Sequence, residues 1–164
     1  MLTIFLLCAL FALSGATGAE ELGDGVESRN RCPTGWSQYG SRCFAFQNFP
    51  RTWTDAEQHC LNFGANLASI HSFGEYQFIQ EMVRWSSGSF SRTWIGGTDA
   101  VKDFVWFWSD GSRFDYHLWA SGEPNNGAGG TEHCVEINYE DQDRWNDWTC
   151  ETQLPFVCAK RLDY

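Results

Sequence analysis

A chain of 164 residues, 43% apolar and 16% aromatic, can build one packed domain but not two large ones. That composition excludes an intrinsically disordered chain. A net charge of −10 disfavours nucleic acid, anionic membranes and heparin-like polymers, all of which call for clustered Lys and Arg.

Residues 1–19 have the pattern of an export signal: an uncharged apolar run over 2–13, then small residues from Ser14 to Ala19. The run is too short to span a bilayer, and no later segment is apolar enough to do so. The expectation is a secreted, extracellular protein without membrane insertion. Cys8 leaves with the signal, and Cys32, Cys43, Cys60, Cys134, Cys150 and Cys158 remain. An even set in an exported chain argues for three disulfides rather than metal thiolates or a catalytic thiol, with the pairing open. Residues 20–31 are polar, acidic and free of aromatics, a flexible leader or short pro-segment, so the folded domain is expected over 32–164.

A strand is expected at 42–46. Thr54 and Glu57 then fit a capping box that opens a helix, with Trp53, Ala56, Cys60 and Phe63 at helical spacing and Gly64 as its stop. Ser72 and Glu75 repeat the capping logic for a second helix, whose buried stripe is Tyr76, Ile79 and Val83. From residue 93 the pattern changes to alternation and short aromatic runs. Segments 93–97, 104–109, 134–137, 144–148 and 156–160 read as strands separated by Gly, Asp and Asn turns. Residues 110–133 form a long loop of little periodicity, and such loops in compact domains are usually functional. The fold class is α+β, with two helices packed on antiparallel sheets.

The chemistry concentrates in two short clusters, Glu123-Pro124-Asn125 and Trp145-Asn146-Asp147, with Glu132 between them. Glu123, Asn125, Glu132, Asn146 and Asp147 offer three carboxylates and two amide oxygens. An all-oxygen set suits a hard cation such as Ca2+, and one ion is expected. A proline can hold its preceding peptide bond cis, which would turn Glu123 and Asn125 toward the same ion. Without metal the three acids would repel one another.

Other candidates are weaker. His133 stands beside Glu132 but has no nucleophile paired with it and reads as a bystander. His59 reads as a helix-surface residue, and His71 and His117 lack metal-ligand spacing. Glu140, Asp141 and Asp143 read as a solvated acidic turn. No zinc-protease, nucleophile-elbow or phosphate-loop motif occurs, so no catalytic residue is assigned and an enzyme is not expected.

On these residues the chain resembles the C-type lectin domains, over roughly 32–160. Trp94-Ile95-Gly96-Gly97 is similar to the family's core strand, and Trp108-Ser109-Asp110-Gly111 to its strand-to-loop exit. Glu-Pro-Asn and Trp-Asn-Asp correspond to its principal calcium and sugar site. Cys32 and Cys43 match the long form of the domain. The leader and the stretch 67–72 resemble soluble fish lectins and the related type II antifreeze proteins. The resemblance implies the bridges Cys32–Cys43, Cys60–Cys158 and Cys134–Cys150, the last of which would bring Glu132 toward the strand of Asn146 and Asp147.

It further implies that Glu123, Asn125, Glu132, Asn146 and Asp147 bind both the calcium and the vicinal hydroxyls of a sugar. Glu-Pro-Asn is associated in the family with mannose-type sugars. Galactose sites usually add an aromatic surface, and 124–133 contains no Phe, Tyr or Trp. The implied function is innate recognition of microbial glycans. Asp99 and Asp103 match two ligands of an auxiliary calcium site, but Asn126 and His133 replace further carboxylates. That site is expected to be weak or empty, with Asp99 and Asp103 as solvated turn residues. The rivals are an ice-binding antifreeze protein of the same fold and a mineral- or matrix-associated structural protein. Oligomerisation stays open, a homo-oligomer being one route to avidity.

Overall fold

The computed structural model describes residues 31–140 and 143–162. The expected signal, all of the leader except Arg31, and Asp141 lie outside them. Ten elements follow one another among the described residues. Strand β1 (Ser37–Tyr39) turns back into β2 (Arg42–Arg51), and helix α1 (Trp53–Leu61) follows at once. The short β3 (Asn66–Leu67) leads to α2 (Phe73–Ser87), β4 (Thr93–Thr98) and β5 (Phe107–Trp108). After the long loop come β6 (Cys134–Tyr139), β7 (Arg144–Trp148) and β8 (Leu154–Arg161).

Helix α1 starts earlier than its capping signature suggests. The N-cap is Thr52, whose Oγ1 accepts the Asp55 amide at 3.2 Å, and Thr54 lies inside the first turn. Glu57 is committed elsewhere. Its carboxylate accepts from the Leu67 amide (2.7 Å), Asn66 Nδ2 (2.5 Å) and Ser109 Oγ (2.9 Å), tying the helix to β3 and to the end of β5. Ala56 and Cys60 form the buried face, whereas Phe63 lies beyond the helix and is exposed. Helix α2 begins at Ser72, whose Oγ accepts from the Glu75 amide at 3.2 Å. It buries Tyr76, Ile79 and Val83 and ends at Gly88.

The eight strands join in the order β1-β2-β8-β4-β6-β7, with β3 on β8 and β5 on β4. One pairing departs from the antiparallel expectation: β4 and β8 run parallel, with Trp94 opposite Phe156. The 104–109 strand shrinks to two residues, and Phe104, at φ 63°, is outside the extended region. Disulfides join Cys32 to Cys43, Cys60 to Cys158, and Cys134 to Cys150. Phe44, Ile70, Tyr76, Ile79, Ile95, Ile137 and Trp145 are wholly or almost wholly buried in one cluster; Ala56, Leu67, Trp94 and Phe156 anchor a second.

Two features of this frame position the long loop. Residues 118–120 pair with β7: the Trp145 amide donates to Leu118 O (3.0 Å) and the Ala120 amide to Trp145 O (2.8 Å). The Cys134–Cys150 bridge clamps the start of β6 to the chain just past β7. Glu123 and Glu132 are therefore delivered to the strand pair from opposite ends of 121–133.

Candidate functional site

Strands β6 and β7 run antiparallel with Glu136 opposite Asn146 and Val135 opposite Asp147. Asp147 is buried, and its two oxygens accept the backbone amides of Asn125 (3.0 Å) and Asn126 (2.6 Å). Those bonds dock the loop on the strand. The loop continues by side chain-to-backbone bonds of the kind Asn favours in turns. Asn125 Oδ1 accepts from the Gly127 amide at 2.6 Å, and Asn126 Oδ1 from the Glu132 amide at 3.1 Å. Gly127 has φ 57°, and a Cβ there would lie 2.7 Å from the Glu132 carboxyl carbon. The carboxyl of Glu132 therefore packs directly on the Gly127 backbone.

The Glu123–Pro124 peptide bond is cis. Glu123 Oε2 is buried and has no hydrogen-bond partner among the described residues. Burial, followed by the bond to Asp147 and repulsion from Asp147 and Glu132, pushes the Glu123 carboxyl up to about 7. Burial also raises Glu132, helped by Asp147 and Glu136. Glu123, Glu132 and Asp147 thus share one electrostatic neighbourhood, as the three acids of the ligand set should. An orphaned buried carboxylate oxygen, mutually repelling acids and an all-oxygen donor set fit a hard divalent cation.

Asn146 is held differently. Its Nδ2 donates to Glu136 Oε1 at 2.9 Å, and Glu136 is itself gripped by the Arg92 fork, Nε to Oε2 at 2.7 Å and an Nη to Oε1 at 2.6 Å. Glu136 has no solvent exposure. Burial raises its carboxyl, and the bonds from Arg92 and Asn146 pull the other way. No motif pointed to Glu136. The signal that could have found it is its register opposite Asn146, which a linear sequence does not state.

Asp99, Asp103 and His133 gather in a second group, their ligand-type atoms all within 4.8 Å of one another. Here the expectation of solvated turn residues fails for Asp99. It is buried, with Oδ1 2.9 Å from His133 Nδ1 and Oδ2 accepting the Phe104 amide at 2.6 Å. Asp103 remains exposed. His133 is a partner of Asp99 rather than a bystander. A polar cleft of about 700 Å3, lined by Arg42, His71, Asp110 and Lys160, lies apart from Glu123, Glu132 and Asp147.

The family profile for the lectin C-type domain matches residues 49–160. The chain is 53% identical to ladderlectin of Oncorhynchus mykiss, over 94% of this chain and 90% of that one. It is 43% identical to the galactose-specific lectin nattectin of Thalassophryne nattereri, over 97% and 94%. The structure of herring type II antifreeze protein superposes with a TM-score of 0.75 at 39% identity, covering 80% of this chain and 99% of the other. The chain belongs to the C-type lectin domain family.

Proposed function

We propose that the protein is a secreted, calcium-dependent lectin that holds mannose-type sugars through Glu123, Asn125, Glu132, Asn146 and Asp147. The observation that carries this reading is the convergence of Glu123, Glu132 and Asp147 around a buried carboxylate oxygen that no group among the described residues satisfies. Bound calcium would supply open coordination positions for two vicinal hydroxyls. The protein's own contribution is hydrogen bonding at those hydroxyls: carboxylate oxygens of Glu123 and Glu132 accept, while amide nitrogens can donate. Removing the cation leaves like charges facing one another, so chelation should release the sugar.

The mannose preference rests on Glu-Pro-Asn and on the absence of an aromatic residue between Pro124 and His133. Nattectin, a relative of similar length, carries a galactose-specific name, so both sugars belong in the test. Retention on mannan-agarose in millimolar calcium, release by chelator and passage through galactose-agarose are expected. Binding that ignores the chelator refutes the mechanism, and retention on galactose alone refutes the preference. One such site holds a monosaccharide weakly, so recognition of microbial glycans would draw on several copies acting together.

The likeness to herring type II antifreeze protein favours one second reading, ice binding. Thermal hysteresis of the purified protein at millimolar concentration separates the two. A lectin without ice affinity shows none.

A further inference from the structure

We propose that Glu136, held by Arg92, is a positioning residue that orients the Asn146 amide so that its oxygen, not its nitrogen, faces the cation. The inference rests on the cation reading above and extends it to two residues outside the ligand set.

The two ends of a primary amide have nearly the same shape and opposite hydrogen-bonding character. An Asn ligand turned the wrong way presents N–H groups to a positive ion. Asn146 therefore needs something that reads the two ends apart. Glu136 does so by charge: a carboxylate accepts and cannot donate, so only Nδ2 can sit 2.9 Å from its Oε1. The oxygen is then the end left over for the cation.

Arg92 keeps both oxygens of Glu136 engaged as acceptors. Its guanidinium meets both carboxylate oxygens, at 2.7 Å and 2.6 Å, in the bidentate geometry that makes such pairs strong. Arg92 is itself fixed, with its guanidinium carbon 4.7 Å from the Trp148 ring centre and 5.8 Å from that of Tyr139. Cross-strand register sets Glu136 opposite Asn146. Arg92 immediately precedes β4, whose Thr93 and Trp94 lie opposite Ile137 and Glu136. Three adjacent strands thus converge on one amide.

A purely structural ion pair predicts a different mutational pattern, and three proteins separate the possibilities: wild type, Glu136→Gln and the double variant that combines Arg92→Leu with Glu136→Leu. Oε1 of Glu136 accepts from both Arg92 and Asn146. In Glu136→Gln a carbonyl oxygen at that position still accepts from both, so calcium affinity should fall less than in the double variant. The double variant removes the acceptor together with the buried charge, and apolar replacement of a buried ion pair commonly leaves stability intact. Nothing then tells the two ends of the Asn146 amide apart, and calcium affinity measured by calorimetry should fall about 10- to 100-fold, the usual effect of losing a ligand's supporting partner. An ion pair that served the fold alone would leave calcium affinity unchanged in a double variant that urea unfolding shows to be stably folded.

A second readout needs no metal. In calcium-free protein the Asn146 side-chain amide protons, followed by NMR, should exchange slowly in wild type and faster in the double variant, which lacks the acceptor. Wild-type calcium affinity in the folded double variant, or as large a loss in Glu136→Gln as in the double variant, overturns the positioning role. Failure of the wild type to take up calcium overturns the cation reading, and this inference with it.

Discussion

Glu123 shows what one residue has to tolerate in such a site. Its carboxyl is pushed from an ordinary 4.5 to about 7 by burial and by Asp147 and Glu132. A carboxyl raised in the folded protein holds a proton that the unfolded chain gives up, so it costs stability as pH rises through the folded value. The calcium-free protein should therefore gain from Glu123→Gln at about pH 8, and differ little from it at about pH 4, where both chains carry a neutral group. Differential scanning fluorimetry in chelator checks the sign; a lower melting temperature for Glu123→Gln at the higher pH contradicts it. Protons and calcium compete for the same oxygens, so calcium affinity should decline as pH falls below about 7.

Gly127 gives a second residue-level prediction. Any side chain there meets the Glu132 carboxyl at 2.7 Å and also inherits a left-handed φ of 57°. Gly127→Ala should cost about 1 kcal/mol in stability from backbone conformation. Calcium affinity should suffer more than that, because Glu132 must move. Equal affinity by calorimetry would mean that Glu132 is not a ligand. At this scale the sequence was most informative, because Glu123, Asn125, Glu132 and Asp147 stand in short, oxygen-rich motifs. It was silent on Glu136 and misleading on Asp99. Their roles come from cross-strand partners and burial, which no local spacing encodes.

Among the elements, α1 is the instructive case. The pattern Thr-x-x-Glu at 54–57 predicts a capping box, yet the cap is Thr52 and Glu57 points to β3. A local hydrogen bond lost to three tertiary ones, since Glu57 satisfies the Leu67 amide, Asn66 and Ser109 together. Thr52→Ala should therefore destabilise the protein by about 1 kcal/mol, with Thr54→Ala close to neutral. Urea unfolding of both variants tests the assignment, and the reverse order would restore the capping box. At α2 the Ser72 hydroxyl does cap, accepting the Glu75 amide, while the Glu75 carboxylate accepts from the His71 amide and Arg42 rather than from Ser72. The parallel contact of β4 with β8 was out of reach, because it joins Trp94 to Phe156, which lie far apart in the chain.

For the whole molecule, two disulfides divide the labour of stability and site geometry. Cys60–Cys158 closes a separation of 98 residues and joins α1 to β8; Cys134–Cys150 closes 16 and brackets β6 and β7. In the chain-entropy picture a loop near ~100 residues is worth about 4.7 kcal/mol and one near ~15 about 3. Replacing the Cys60–Cys158 pair with serines should therefore lower stability more than replacing the Cys134–Cys150 pair. Calcium affinity should follow the opposite order. The shorter bridge holds the strand pair that carries Asn146, Asp147 and the root of Glu132, whereas the longer one fastens α1 to β8, outside the ligand set. Chemical denaturation and calcium calorimetry on the same two variants read both orders. If the variant lacking Cys60–Cys158 loses more on both measures, calcium uptake depends on global stability rather than on how β6 and β7 are clamped.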